Sequence, residues 1–174
     1  MDRNGSLHVS ALNLFIYLLH IFFTLPVVLS LTTYIPDSDF DCILCYRGPW
    51  LGVTCTSGIV TGLDLPAKSL AGNLPDALKW VVNLTSVKLN GNNFIGSLPP
   101  SWSSITGLTL LYLQSNALTG TLPAQWSSLQ RISQLYLANN RLTGTIPTVW
   151  AATGGMQVLK LYHLHNNDIA HDHY

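Results

Sequence analysis

The chain has 174 residues, with eight Lys and Arg against eight Asp and no Glu, and it is 9% charged and 48% hydrophobic. That composition excludes an intrinsically disordered chain and leaves no electrostatic footprint for nucleic-acid phosphates. Without glutamate the stock of carboxylate pairs is thin, so acid–base hydrolysis built on two carboxylates is disfavoured as well.

Residues 12–29 read LNLFIYLLHIFFTLPVVL, an apolar run broken by Pro26, with Arg3 as the only basic side chain before it. This pattern predicts a signal peptide over 1–30, with Val28 and Ser30 as the small residues before a cut and Leu31 as the first mature residue. An uncleaved signal anchor is the alternative, since Ala11 to Leu31 is just long enough to span a bilayer, and only then, or through an anchoring partner, would the protein sit on a membrane. Both readings send the remainder out of the cytosol.

Residues 31–58 follow as an N-terminal cap containing Cys42, Cys45 and Cys55. In a secretory compartment thiols oxidise, and closing Cys45 with Cys55 spans nine residues, a loop worth roughly 3 kcal/mol by chain entropy. Cys42 is then free or bonded to another chain. Zinc would need a fourth ligand, and the histidines outside the N-terminal segment lie more than a hundred residues away.

From Val60 to Trp150 four landmarks recur every 24 residues. The glycines are 72, 96, 120 and 144, the prolines 75, 99, 123 and 147. The paired apolar positions are Leu63 and Leu65, Val87 and Leu89, Leu111 and Leu113, and Leu135 and Leu137. The unit L-x-x-L-x-L-x-x-N-x-L-x-G-x-L-P-x-x-W contains the leucine-rich-repeat signature, which predicts a solenoid with a parallel concave sheet and short 3₁₀ or extended convex segments. Alternation sends Leu111 and Leu113 inward and Tyr112 outward. Asn92, Asn116 and Asn140 are expected to form a buried amide ladder, worth about 1 kcal/mol per bond, with Lys68 in that place in the first coil. The Gly and Pro three residues apart should fix a bend before the convex segment. About five repeats fill 59–169. Inserting three residues near AATGG (151–155) brings Leu164, Asn167 and Ile169 into register. The chain then reads AHDHY and stops mid-coil, which reads as a truncated, His-rich tail over 170–174.

The unit L-x-G-x-[LI]-P resembles the extracellular repeats of plant-type receptors and polygalacturonase-inhibiting proteins, and WLGVTC ending at Cys55 is similar to their N-terminal cap. The units PPSWSSI and PAQWSSL resemble the repeats of trypanosomatid surface antigens and proteophosphoglycan-like proteins. The resemblance implies a secreted or surface recognition module for an extracellular protein or glycan ligand, non-enzymatic and without cofactor. A hydrolase inhibitor and a truncated paralogue without function are the alternatives, and the former would be expected to show a patterned charged surface.

The concave face supplies the candidate site. Its central column is Asp64, Lys88, Tyr112, Tyr136 and His163, and beside it run Pro66, Asn90, Gln114, Ala138 and His165. Tyr112 and Tyr136 should lie about 5 Å apart and suit an amphipathic anchor, and as outward residues they should contribute little to stability. Trp102, Trp126 and Trp150 share the core period and read as a convex hydrophobic spine rather than a sugar-stacking ladder. Asn83-Leu84-Thr85 is the glycosylation acceptor of the mature chain. The histidines and aspartates from His163 to His173 could bind a metal, but in a terminal tail they read as sequence without that role. No G-x-S-x-G, phosphate loop or H-E-x-x-H is present, so no catalytic residues are assigned.

Overall fold

The computed structural model of the chain describes residues 52–152 and 164–170. The expected signal segment, Cys45 and His163 lie outside the described residues.

The solenoid begins with a hairpin. Strand β1 (Val53–Thr56) runs antiparallel to β2 (Ile59–Asp64), joined through Ser57 at φ 52 and Gly58 at φ 80. Two successive left-handed residues give the twist that a two-residue hairpin needs. Cys55, on β1, is disulfide-bonded. Three strands then add in parallel, β4 (Ser86–Lys88), β6 (Leu110–Tyr112) and β8 (Gln134–Tyr136). Leu63, Val87, Leu111 and Leu135 pair in sequence, each 24 residues from the last, so the repeat period is the sheet register. Their side chains, with Leu89, Leu113 and Leu137, are buried in one continuous core. At the leading edge Thr85, Thr109 and Ser133 each donate a hydroxyl hydrogen bond to a carbonyl one coil back, a ladder that sequence analysis did not identify.

A second group of strands, also unforeseen, falls between the concave strands and the convex turns in chain order. It comprises a pair, β3 (Ala71–Asn73) with β5 (Asn93–Ile95), and a triplet, β7 (Thr119–Thr121), β9 (Arg141–Thr145) and β10 (Asp168–Ala170). A bridge from Ser97 to Thr119 joins the two groups. The glycines expected to mark a bend do have left-handed φ, yet Gly72, Gly120 and Gly144 also sit within strands. At Gly144, φ is +82° and an added Cβ would stand 2.9 Å from Thr121 Cγ2. Gly144→Ala is therefore expected to cost about 1–3 kcal/mol through backbone strain and crowding. A urea midpoint equal to the parent's would show that this position tolerates a side chain.

On the convex side the chain forms 3₁₀ turns over Asp76–Trp80, Pro100–Ser104 and Ala124–Ser128, then a single α turn, α1 (Thr148–Ala152). Each 3₁₀ turn follows a proline whose fixed φ starts it. Trp102, Trp126 and Trp150 are buried, and each indole Nε1 donates to a carbonyl of the preceding coil, that of Pro75, Pro99 and Pro123 respectively. The rings of Trp102 and Trp126 stack with centroids 6.4 Å apart. These are spine residues, and Leu78 takes their place in the first coil.

The amide ladder is present. Asn92 Oδ1 accepts from the N–H groups of Lys68 and Leu70, while Nδ2 donates to the carbonyls of Leu65 and Leu89. Asn116 and Asn140 repeat the donor pattern one coil at a time. Asn167 continues it, accepting from Leu142 N–H and donating to the Leu137 and Leu164 carbonyls. Its distance from Asn140 is 27 residues, so the three-residue insertion in the fifth coil is the register found.

Candidate binding face

Because side chains alternate across a strand, the residues flanking each buried leucine pair face outward on the concave sheet. Asp64, Lys88, Tyr112 and Tyr136 form one row across β2, β4, β6 and β8. Within it Lys88 Nζ lies 3.1 Å from Asp64 Oδ2 and 6.0 Å from the centroid of the Tyr112 ring. The rings of Tyr112 and Tyr136 meet edge to face, with centroids 4.6 Å apart and planes at 73°. The arrangement passes from an ion pair, through a cation above a ring, to an aromatic pair. The exposed ion pair itself contributes little to stability, ~0.2–1 kcal/mol.

Both tyrosines are half-buried, not freely exposed. Tyr112 OH hydrogen-bonds to Gln134 Oε1, so part of the pair's contact area is intramolecular. The expectation that these rings contribute little to stability is corrected accordingly. Gln134 belongs to a further outward row, Gly62, Ser86, Leu110 and Gln134, which was missed and which period two would have identified as the residues two before Asp64, Lys88 and the tyrosines. Leu110 there is half-buried and extends the apolar surface beside Tyr112.

The other flank is less open than expected. Ala138 is buried, with 4% of its surface exposed, and is not a surface position. Asn90 and Gln114 are half-buried. Among the described residues, Gln114 Oε1 is the buried side-chain oxygen or nitrogen that has no hydrogen-bond partner. An unpartnered buried acceptor costs ~1–3 kcal/mol, which a donor supplied to it would offset. His165 is exposed, and its carbonyl accepts from Asn139 N–H.

Away from this face, Asn83 is exposed in a tight turn just before β4, with Leu84 N–H donating to Val81 carbonyl. On the convex side Asp76 is held below the usual carboxylate range, first by the hydrogen bond from Lys79 and then by that from Ser101. Among the described residues no group of His, Cys or Asp could hold a metal ion, and no helix is long and apolar enough to cross a membrane.

One concave strand per 24-residue coil, an asparagine ladder between coils and an open concave sheet define a repeat solenoid. The chain belongs to the leucine-rich-repeat proteins, of the plant type. The family described as leucine rich repeat matches residues 82–142. A chain of the Arabidopsis thaliana BIR3–SERK2 complex is 30% identical, with 79% of this chain and 72% of that one covered at a TM-score of 0.65. Pollen Receptor Kinase 3 is 29% identical, over 72% of this chain and 60% of its own, at 0.63. The structure of the Arabidopsis receptor kinase HAESA with the peptide hormone IDA and the co-receptor SERK1 matches at 29% identity and 0.53, covering 58% of this chain and 16% of that one. No curated protein sequence matches the chain.

Proposed function

We propose that the protein is a secreted or cell-surface recognition module, non-enzymatic, that holds an extracellular protein or peptide ligand against its concave sheet. The observation that carries this reading is the edge-to-face pair of Tyr112 and Tyr136, half-open on a sheet whose remaining outward residues, Leu110 apart, are mostly small, amide or charged. Aromatic rings with a polar tip are favoured anchors of binding energy. Leu110 widens the apolar patch, Lys88 and Asp64 give it a polar margin, and Asn90 and Gln114 offer amides on the far side. The HAESA structure, a similar solenoid in complex with a peptide hormone and a co-receptor, supports a peptide or protein ligand over a glycan. The PPSWSSI and PAQWSSL units support the surface location, and secretion places the mature start at Leu31 with Cys45 as the partner of Cys55.

The test is a double variant, Tyr112→Ser with Tyr136→Ser. Because the rings pack on each other and on Gln134, it is expected to lose about 1–2 kcal/mol of stability while keeping its circular dichroism spectrum. Its affinity for a protein captured by the parent from an extracellular fraction should fall at least tenfold, about 1.4 kcal/mol. Gln125→Ala, on the exposed convex side, serves as the control and should bind like the parent. Undiminished binding by a folded double variant would move the site off the concave face.

A further inference from the structure

The first coil departs from the others at one surface turn. Trp80 and Val82 expose 45% and 53% of their surfaces, two of the five exposed large hydrophobics among the described residues. At the equivalent positions the next coils carry Ser104 and Thr106, then Ser128 and Gln130, all polar. At the same turn, and in no other coil, stands an acceptor sequon. Asn83-Leu84-Thr85 aligns with Gly107-Leu108-Thr109 and Arg131-Ile132-Ser133. An apolar patch and an asparagine acceptor therefore occur together, and both are absent from the turns that are otherwise equivalent.

The local geometry fits one occupant. Val81 N–H donates to the Leu78 carbonyl and Leu84 N–H to the Val81 carbonyl, which fixes a tight turn with Val82 and Asn83 at its corners. Asn83 is exposed there, one residue beyond Val82 and three beyond Trp80. Lys79 Nζ stands 5.4 Å from the Trp80 ring centroid, and nearly half the residue remains open. Sugar rings present a face of C–H groups that pack on indole, and the first residues of a glycan on Asn83 are within reach of a side chain three positions back. Isolated exposed apolar residues need no explanation, but a Trp and a Val beside a sequon do.

We propose that Asn83 is N-glycosylated and that the proximal sugars of its glycan lie over Trp80 and Val82, covering this apolar turn of the convex edge. The linkage forms between Asn83 Nδ2 and the anomeric carbon of an N-acetylglucosamine as that carbon's bond to a lipid pyrophosphate of the secretory pathway breaks, the pyrophosphate leaving with the electron pair and taking up the proton lost from Nδ2. This inference rests on the secretory part of the proposed function, and it goes beyond it in assigning a modification and an intramolecular contact.

The experiment expresses the full chain in a eukaryotic secretory host. Digestion with an amidase that removes N-glycans should shift the secreted protein to lower mass, and Asn83→Gln should abolish that shift. Oxidative footprinting read by mass spectrometry should then show Trp80 modified at least threefold more slowly with the glycan than without it. Trimming to a single N-acetylglucosamine should retain the protection, because the first sugar makes the contact. Thr85→Ser keeps both the sequon and the hydroxyl that bonds the Thr61 carbonyl, and it should behave as the parent. A secreted but unglycosylated Asn83, or equal Trp80 labelling with and without the glycan, overturns the proposal. A chain retained in the cytosol overturns the secretory reading, and this one with it.

Discussion

Replacing Trp126 by alanine is expected to lower the unfolding free energy by about 3–5 kcal/mol, the range for deleting a fully buried indole. The residue has no exposed surface, its ring stacks on Trp102, and its Nε1 donates to the Pro99 carbonyl at 2.9 Å. Alanine thus opens a large cavity between two coils and takes from the Pro99 carbonyl one of its two donors, the Trp102 N–H being the other. Trp126→Phe separates the two costs. It keeps most of the apolar volume and loses one hydrogen bond to a carbonyl that retains another, so about 0.5–1.5 kcal/mol is expected. In a solenoid each coil touches only its neighbours, so the alanine variant should also uncouple the coils after Ala124 from those before it. Urea unfolding should then broaden, with a lower apparent m-value, and amides of β8 and β9 should exchange before those of β4 and β6. An alanine variant that unfolds at the parent's midpoint would sink the assignment of Trp126 to the coil interface.

The parts of this fold that repeat in residue type were legible in the sequence. Leu63, Val87, Leu111 and Leu135 are 24 apart, and so are their strand partners. Asn167 restored the register after the insertion because its short amide supplies both the donor and the acceptor that the ladder needs. What stayed hidden repeats in backbone shape and not in residue type. The corner before each ladder position is left-handed at Ala67, Gly91, Ser115, Asn139 and Asn166, five positions with four different side chains. The second group of strands was hidden because Gly72, Gly120 and Gly144 read as turn residues, although here left-handed glycines sit inside strands. On the concave face the alternation identified the outward row, and the spacing of the tyrosines anticipated their contact. It could not anticipate that Gln134 would cap Tyr112, since that bond runs diagonally to a residue two positions before the neighbouring tyrosine. Nor could it show that Ala138 is buried, because a small side chain at an outward position is covered by its larger neighbours.

The ladder itself gives the other large effect. Asn92→Leu should destabilise the protein by about 3–5 kcal/mol, because one buried amide serves four backbone groups and leucine serves none. Lys68 and Leu70 would lose their acceptor, the Leu65 carbonyl its side-chain donor, and the Leu89 carbonyl one of its two, that from Asn116 remaining, within the buried first interface of the stack. Lys68 cannot compensate as a side-chain acceptor, since an ammonium only donates. Asn92→Asp makes a sharper test, because it keeps the shape and changes one group. Its carboxylate can accept from both N–H groups, but when ionised it faces two carbonyls with nothing to donate. When protonated, it can satisfy one of them. Burial and those carbonyls therefore favour the neutral acid in the folded state, raising its pKa above the unfolded value of about 3.9. The folded variant then binds more protons than the unfolded chain above that pH, so its stability falls as pH rises from about 4 until the folded pKa is passed. Urea midpoints of Asn92→Asp measured from pH 4 to 8 should decline relative to the parent's across that window. A difference between variant and parent that is constant with pH would mean that position 92 is solvated in the folded state, and the ladder would then not close the first coil onto the second.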